Sequence, residues 1–214
     1  MAATWQQLKN WFARNIGEND YTSVDSTGEA LLNDAEKELS SRFPFECNKV
    51  KGQALTISSN TADLPEDFDY SHIGEIKVYS YSGTTKTAYQ PKPADDITNY
   101  ETSEYVYDID QVNAQLVSNQ SSASVKMDYY RIPATKTTDE ETTNFPIPKA
   151  IALQAAGDYW SDFEEEEDRA QDKYQKADAL FTQAVSRNKI GLPPRQMVSK
   201  YDNEIDNSIL STRR

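Results

Sequence analysis

The chain has 214 residues, of which 37% are hydrophobic and 27% charged, and 35 Asp+Glu against 22 Lys+Arg give a formal charge of −13. This excess of acid argues against a reader of nucleic acid, because affinity for phosphates needs clustered Lys and Arg. No apolar run approaches the roughly 20 residues of a membrane-spanning helix, and the N-terminus lacks the basic-then-apolar layout of a secretory signal, so we expect neither a membrane protein nor one exported by that route.

Two short helices are predicted at the start of the chain. Thr4 and Gln7 form a capping box, in which each side chain satisfies a free backbone N–H, ahead of a helix over residues 4–16. Ser26 begins a second capping box ahead of a helix over residues 27–42. In both segments the apolar residues recur every three or four positions, which is typical of an amphipathic helix.

The middle of the chain has a different pattern. From Gln53 to Ile132 the apolar residues fall in short runs rich in β-branched and aromatic side chains, separated by Ser, Asn, Asp and Gly. Such runs predict an antiparallel β-module of about 80 residues. The tyrosines concentrated there are interpreted as cross-strand packing, in preference to a ligand-stacking surface.

A long third helix is predicted after the β-module. Pro146 and Pro148 suit its first turn, and a run to Asn188 of about 40 residues would span about 60 Å. Its alanines allow close helix approach, and its apolar positions predict a narrow stripe for contact with neighbouring subunits: Ala156, Tyr159, Trp160, Phe163, Ala170, Tyr174, Ala177 and Phe181.

The C-terminal segment has the opposite charge to the rest of the chain. Residues 187–214 hold six Lys+Arg against three Asp+Glu, a net charge of +3, whereas the preceding 186 residues hold 16 against 32, a net charge of −16. The tail is therefore predicted to be the only basic segment. Its apolar residues are too few for a core but sufficient to anchor a peptide in a groove on another protein.

The predicted fold class is α+β: a helical bundle with one long C-terminal helix, an inserted antiparallel β-module and an extended C-terminal tail. Leu, Ile, Val and Phe make up only about 18% of the chain, below the roughly 20% at which a charged chain is suspected of disorder. The 13 Tyr and 3 Trp partly offset this deficit, because aromatic side chains bury large apolar areas. We therefore expect a folded chain with a small core that partner subunits complete. The predicted parts are N-terminal helices (1–50), the β-module (51–135), the long helix (145–190) and the tail (191–214).

The common catalytic and cofactor motifs are missing from the sequence. The seven glycines stand at least nine residues apart, whereas phosphate-binding loops need glycines two to five apart. The single His72 and the single Cys47 exclude histidine-based triads, paired His or Cys zinc sites and an internal disulfide. We predict no cofactor and no metal. Acidic pairs such as Asp108 and Asp110 keep a carboxylate enzyme open as an alternative.

The order of elements resembles a family of phage proteins. Two capped helices precede a Leu-Pro-Glu-Asp-Phe turn at residues 64–68, a strand ending in Tyr-Tyr-Arg-Ile-Pro at 129–133, and a proline-started helix carrying Ala-Ala-Gly-Asp-Tyr-Trp at 155–160 and Ala-Asp-Ala-Leu-Phe at 177–181. This arrangement is similar to the head-to-tail adaptor (connector) proteins of tailed bacteriophages over roughly residues 1–190.

The resemblance implies a structural virion protein at the capsid vertex, assembled in the host cytoplasm. It implies a ring, usually of twelve copies, that docks on the portal, extends the channel through which DNA passes without sequence-specific binding, and contacts tail nozzle, tube or fibre proteins below. The acidic residues then expected to face the channel are Asp158, Asp162, Glu165, Glu166 and Asp172. The tail residues expected to bind the portal are Arg195, Met197, Val198, Lys200, Tyr201, Ile205, Ile209, Leu210, Arg213 and Arg214. Another phage structural protein, such as a tail-tube or fibre-attachment module, is the alternative.

Overall fold

The computed structural model describes residues 2–18, 22 and 24–190, and these form four α-helices and ten strands. The helices are α1 (Trp5–Ile16), α2 (Ser26–Ser41), α3 (Lys149–Asp162) and α4 (Glu167–Ile190). The strands are β1 (Ala3–Thr4), β2 (Lys49–Ser58), β3 (Thr61–Asp63), β4 (Lys77–Ser82), β5 (Thr85–Ala88), β6 (Gln90–Pro91), β7 (Val106–Asp110), β8 (Gln115–Ser118), β9 (Ser122–Tyr130) and β10 (Thr142–Thr143).

Eight of these strands form one sheet in the order β5-β4-β9-β2-β3-β8-β7-β6. All neighbouring pairs are antiparallel except β6 with β7, which is parallel. The two ends of the sheet are joined through Tyr89, the residue between β5 and β6. The Tyr89 N–H donates to the Val78 carbonyl at 2.9 Å, and the Gln90 N–H donates to the Tyr105 carbonyl at 2.8 Å. One bent segment thus pairs with both flanks, and the sheet is a nearly closed barrel with little free edge.

The barrel has its own hydrophobic core. Alternate residues of β2, β4, β8 and β9 point inward, so Ile57, Val78, Leu116 and Met127 are almost completely buried. Tyr107 also belongs to this core, and its hydroxyl donates to the Ile76 carbonyl at 3.1 Å. Burial raises the pKa of this hydroxyl to about 12. This core forms without any contribution from the helices.

The helical half has a second core, and its first two helices confirm their predicted positions. Thr4 and Gln7 make the predicted capping box of α1, which ends at Gly17 with a left-handed φ of 94°. The cap of α2 differs from the prediction: Asp25, and not Ser26, accepts hydrogen bonds from the N–H groups at the start of the helix. The core of this half contains Trp5, Leu8, Phe12, Leu32, Leu39, Phe45, Ile151 and Ala184.

The predicted single C-terminal helix is wrong, because the chain forms the helical hairpin α3–α4. Residues 163–166 break the helix, and Glu165 adopts a left-handed φ of 51°. In a continuous helix the acids of residues 164–168 would form like-charge pairs three and four residues apart, which disfavours the helix at this point. Gly157 lets α4 approach closely: a Cβ there would lie 2.4 Å from Tyr174 Cε1. Because of this close approach, the apolar residues of α4 pack against other helices of the same subunit.

The predicted fold class is also wrong. A helical bundle with an inserted β-module would leave the strands as a minor part, whereas the barrel-like sheet is the main body of the fold and the helices pack beside it. The sequence pattern underestimated the sheet because β3, β5 and β6 are short and weakly apolar. Strand β3 also pairs with β8, which is not its neighbour in sequence, and β6 pairs with β7 across the intervening residues 92–105. The predicted extended tail, residues 191–214, lies outside the described residues.

A buried polar network joins the two halves of the molecule. Lys136, on the segment that leaves the barrel, forms an ion pair with Glu36 of α2, and Thr143 Oγ1 donates to the same carboxylate at 2.5 Å. The Asn33 side chain accepts from the Lys136 N–H at 2.8 Å. Nearby, His72 Nε2–H donates to the Ser40 carbonyl at 3.2 Å. These bonds hold α2 against the barrel in one orientation.

Candidate functional site

The α3–α4 hairpin carries most of the residues that the sequence singled out. On the side facing α2, Asp158 is half buried, and the Tyr174 hydroxyl donates to its carboxylate at 2.9 Å. The pKa of Asp158 is raised from 3.8 to about 6, chiefly because burial desolvates its carboxylate. The Tyr174 hydrogen bond opposes this rise, and the nearby charges of Glu38, Asp162 and Asp34 add to it. These four carboxylates form an acidic surface shared by α2 and α3.

The other predicted channel residues lie in different surroundings. Asp172 on α4 accepts from Lys176 at 2.7 Å, and this hydrogen bond lowers the pKa of its carboxyl. Glu166 pairs with Arg169 at 2.7 Å. Glu165 is exposed in the turn between the helices. The five acids therefore do not form one surface, and only Asp158 and Asp162 belong to the acidic surface.

The predicted apolar stripe is divided between the interior and the surface of this chain. Four stripe residues are buried within the subunit and so are not available to a neighbouring one: Ala156, Trp160, Ala170 and Ala177. Tyr159, Tyr174 and Phe181 are half buried. The Phe181 ring packs on Phe45 with centroids 5.9 Å apart.

Phe163 is the stripe residue that remains open. It is 54% exposed, and its ring stacks on Tyr159 beside the acidic turn. Contact between subunits through this stripe stays a prediction. Phe163 is the one stripe residue that is exposed in this chain, so it is the first candidate for contact with a neighbour.

Sequence reasoning missed a basic surface on the barrel. The side chains of Lys77, Lys86 and Lys126 share the outer face of β4, β5 and β9 with those of Tyr79 and Tyr81. The signal in the sequence was the stretch 76–94, which contains three lysines and no Asp or Glu. The C-terminal tail is therefore not the only basic part of the chain.

The rest of the described surface contains clefts. A cleft of about 250 Å³ lies where the barrel meets the helices, lined in part by Asp67, Arg131 and Lys136. Among the described residues, no three His, Cys, Asp or Glu side chains are grouped so that they could hold a metal ion. No helix in this part of the chain is both long and apolar enough to span a bilayer. The predicted tail residues, Arg195 to Arg214, lie outside the described residues.

Exposed aromatic side chains such as those of Tyr81 and Phe163 are typical of surfaces that bind other proteins. The family model of the SU10 adaptor protein matches residues 3–197, nearly the whole chain. The chain therefore belongs to the SU10 adaptor protein family, and it is a phage adaptor of structural role and not a member of a known enzyme family. The family places it in the neck of the virion, where it interacts with portal and tail proteins. No curated protein matches the chain.

Proposed function

We propose that this chain forms a head-to-tail adaptor ring, of twelve copies, that docks on the portal, extends the DNA channel and connects the capsid to the tail. The observation that carries the proposal is the match of the adaptor family over residues 3–197. The tail-tube or fibre-attachment alternative is less well supported, because the match covers the helices and the barrel together and not the barrel alone.

The acidic surface of α2 and α3 suits the wall of a DNA channel. Burial is the main reason that the pKa of Asp158 is raised to about 6, and the charges of Glu38, Asp162 and Asp34 lie close enough to add to that rise. A wall that repels phosphates lets DNA slide without adhering, because binding would need the release of counterions by basic groups. Of the five predicted channel residues we assign Asp158 and Asp162 to the channel, and we leave Glu165, Glu166 and Asp172 outside it.

The basic C-terminal tail is assigned to the portal. Its net charge is opposite to that of the rest of the chain: residues 187–214 hold six Lys+Arg and three Asp+Glu. An extended basic peptide with spaced apolar anchors fits a groove with acidic rims. The anchors would be Met197, Val198, Tyr201, Ile205, Ile209 and Leu210. The opposite end of the ring would receive the nozzle, tube or fibre proteins.

The test mixes the full chain with the portal protein of the same phage and images the complex by negative-stain electron microscopy. The expected result is an added ring on one face of the portal. A variant that ends at residue 194 should keep the circular dichroism of the full chain and lose co-sedimentation with the portal. Normal co-sedimentation of this variant would contradict the role of the tail, and tubes or fibres in place of a ring would contradict the adaptor function.

A further inference from the structure

The outer face of the barrel carries a basic surface that nothing in this chain covers among the described residues. Register pairs Lys77 with Asp128, Tyr79 with Lys126 and Tyr81 with Lys86, so these six side chains share one face. The Lys86 ammonium lies 3.6 Å from the centroid of the Tyr79 ring, and the Lys126 ammonium lies 5.6 Å from that of Tyr81. Such cation–π contacts hold the ammonium groups at the surface in defined positions.

Among the described residues, the six side chains of this face carry three positive charges and one negative charge. Asp128 is its one acid, and that carboxylate already accepts hydrogen bonds from the Tyr79 hydroxyl at 3.0 Å and the Gly52 N–H at 2.8 Å. In the part of the chain that the structure describes, Lys77, Lys86 and Lys126 form no ion pair. Tyr81, 52% exposed, adds an aromatic surface in the middle. The partner of this face should be acidic and carry an apolar group.

The turn between α3 and α4 has that complementary chemistry. Residues 164–168 are five consecutive acids, all exposed, and they follow the exposed ring of Phe163. Only Glu166 pairs with a cation, Arg169, among the described residues. The left-handed φ of Glu165 turns the chain sharply and presents its neighbours at a corner of the molecule.

We propose that the basic face of one copy binds the acidic turn, residues 163–168, of the next copy. Lys77, Lys86 and Lys126 would meet the carboxylates, and Tyr81 would meet Phe163. The proposal rests on the adaptor function and names the contact that builds the ring. Because the two surfaces belong to different halves of the same chain, the contact is heterologous, and repeating it closes a ring when the rotation allows.

Nucleic acid is the other acidic partner to consider. The chain as a whole carries −13, and three lysines would have to hold a phosphate backbone against that charge. In the acidic turn, by contrast, five negative charges are concentrated in residues 164–168, and the exposed ring of Phe163 lies beside them. A second copy of the chain is therefore the better partner for this face.

The experiment reverses the charge of each surface in the full chain and measures self-association by sedimentation velocity at low salt. The face variant is Lys86→Glu with Lys126→Glu, and the turn variant is Glu165→Lys with Glu167→Lys. Matched controls carry the same changes elsewhere: Lys92→Glu with Lys149→Glu, two lysines that also lie over aromatic rings, and Asp95→Lys with Asp96→Lys. Thermal unfolding by circular dichroism checks that each variant is folded.

Each surface variant should associate at least about tenfold more weakly than the unaltered chain, since like charges facing each other across an interface are strongly unfavourable. The controls should associate normally. Mixing the two variants in equal amounts should restore association, because the reversed face then meets the reversed turn and the unaltered face meets the unaltered turn. A carbodiimide cross-link between Lys86 or Lys126 and residues 164–168 of another copy should appear in the unaltered chain.

If either surface variant associates normally, or if mixing the two variants does not restore association, the proposed contact is wrong. The proposal that the chain forms an adaptor ring would not be affected by that result. If the unaltered chain stays monomeric, the proposed contact is also wrong. The adaptor function would then be tested by electron microscopy of the chain mixed with the portal, as described above. If the face variant loses binding to a fluorescent single-stranded oligonucleotide but still self-associates, the face serves nucleic acid and the proposal fails. Open filaments in place of rings would support the contact and contradict the adaptor function.

Discussion

Replacing Asp158 by Asn should stabilise the protein at neutral pH. Burial beside α2 raises the pKa of this carboxyl from 3.8 to about 6, and Glu38, Asp162 and Asp34 oppose its ionisation. The folded chain therefore holds the proton more tightly than the unfolded chain. The stability that comes from this tighter binding of the proton is fully present below about pH 4 and is lost as the pH rises through about 6.

The size of the effect follows from the same values. For a fully enclosed carboxyl, a rise from 3.8 to about 6 would correspond to about 3 kcal/mol. Asp158 is only half buried, and water screens part of the repulsion, so we expect about 1 kcal/mol. Asn removes the charge and keeps an oxygen that accepts the hydrogen bond of Tyr174, which is 2.9 Å long in the native chain.

The assay is urea unfolding followed by circular dichroism at several pH values between 4 and 8. The Asp158→Asn variant should exceed the native chain in free energy of unfolding by about 1 kcal/mol at pH 7.5, and the difference should vanish near pH 4. Asp162→Asn, an exposed neighbour on the same surface, is the matched control and should change stability by less than about 0.5 kcal/mol. A variant at residue 158 that is no more stable than the native chain at pH 7.5 would refute the reasoning.

Two further predictions concern packing and the junction. Gly157→Ala should lower the free energy of unfolding by about 1–3 kcal/mol, because the new Cβ would lie 2.4 Å from the Tyr174 ring; an unchanged melting temperature would show that α4 moves aside at no cost. Lys136→Met should cost about 3–5 kcal/mol, because Glu36, 4% exposed, would keep a buried charge without its ion pair. Adding Glu36→Leu to that variant should recover most of the loss in urea unfolding, and a double variant as unstable as the single one would contradict this account.

The local elements were predictable where the signal lies within one turn or one strand. Thr4, Gln7 and Gly17 define α1 through hydrogen bonds between residues at most four apart. The strands β4 and β9 were visible because their alternating residues face a core on one side. The family resemblance was confirmed, since it depends on the order of such elements along the chain.

The candidate surfaces were only partly predictable. The sequence grouped the acids between residues 158 and 172 as one set, whereas the structure divides them into an acidic surface around Asp158 and paired residues such as Asp172. That division depends on which helix lies opposite each side chain. The basic face was missed because Lys77, Lys86 and Lys126 come together only when β4, β5 and β9 are paired. The net charge of a sequence segment does not show which charged side chains strand pairing will bring together on one face of a sheet.

The sequence by itself determined the start of α1, the proline-led start of α3 and the alternating strands of the barrel, because these depend on neighbours along the chain. Only the tertiary structure decided that the strands close through Tyr89 and that the C-terminal helix folds back at Glu165. Both outcomes depend on contacts between distant residues: Tyr89 bonds to Val78 while its neighbour Gln90 bonds to Tyr105, and Gly157 admits the ring of Tyr174. The apolar stripe that the sequence assigned to neighbouring subunits is therefore largely buried by its own chain, and Phe163 is left for a partner.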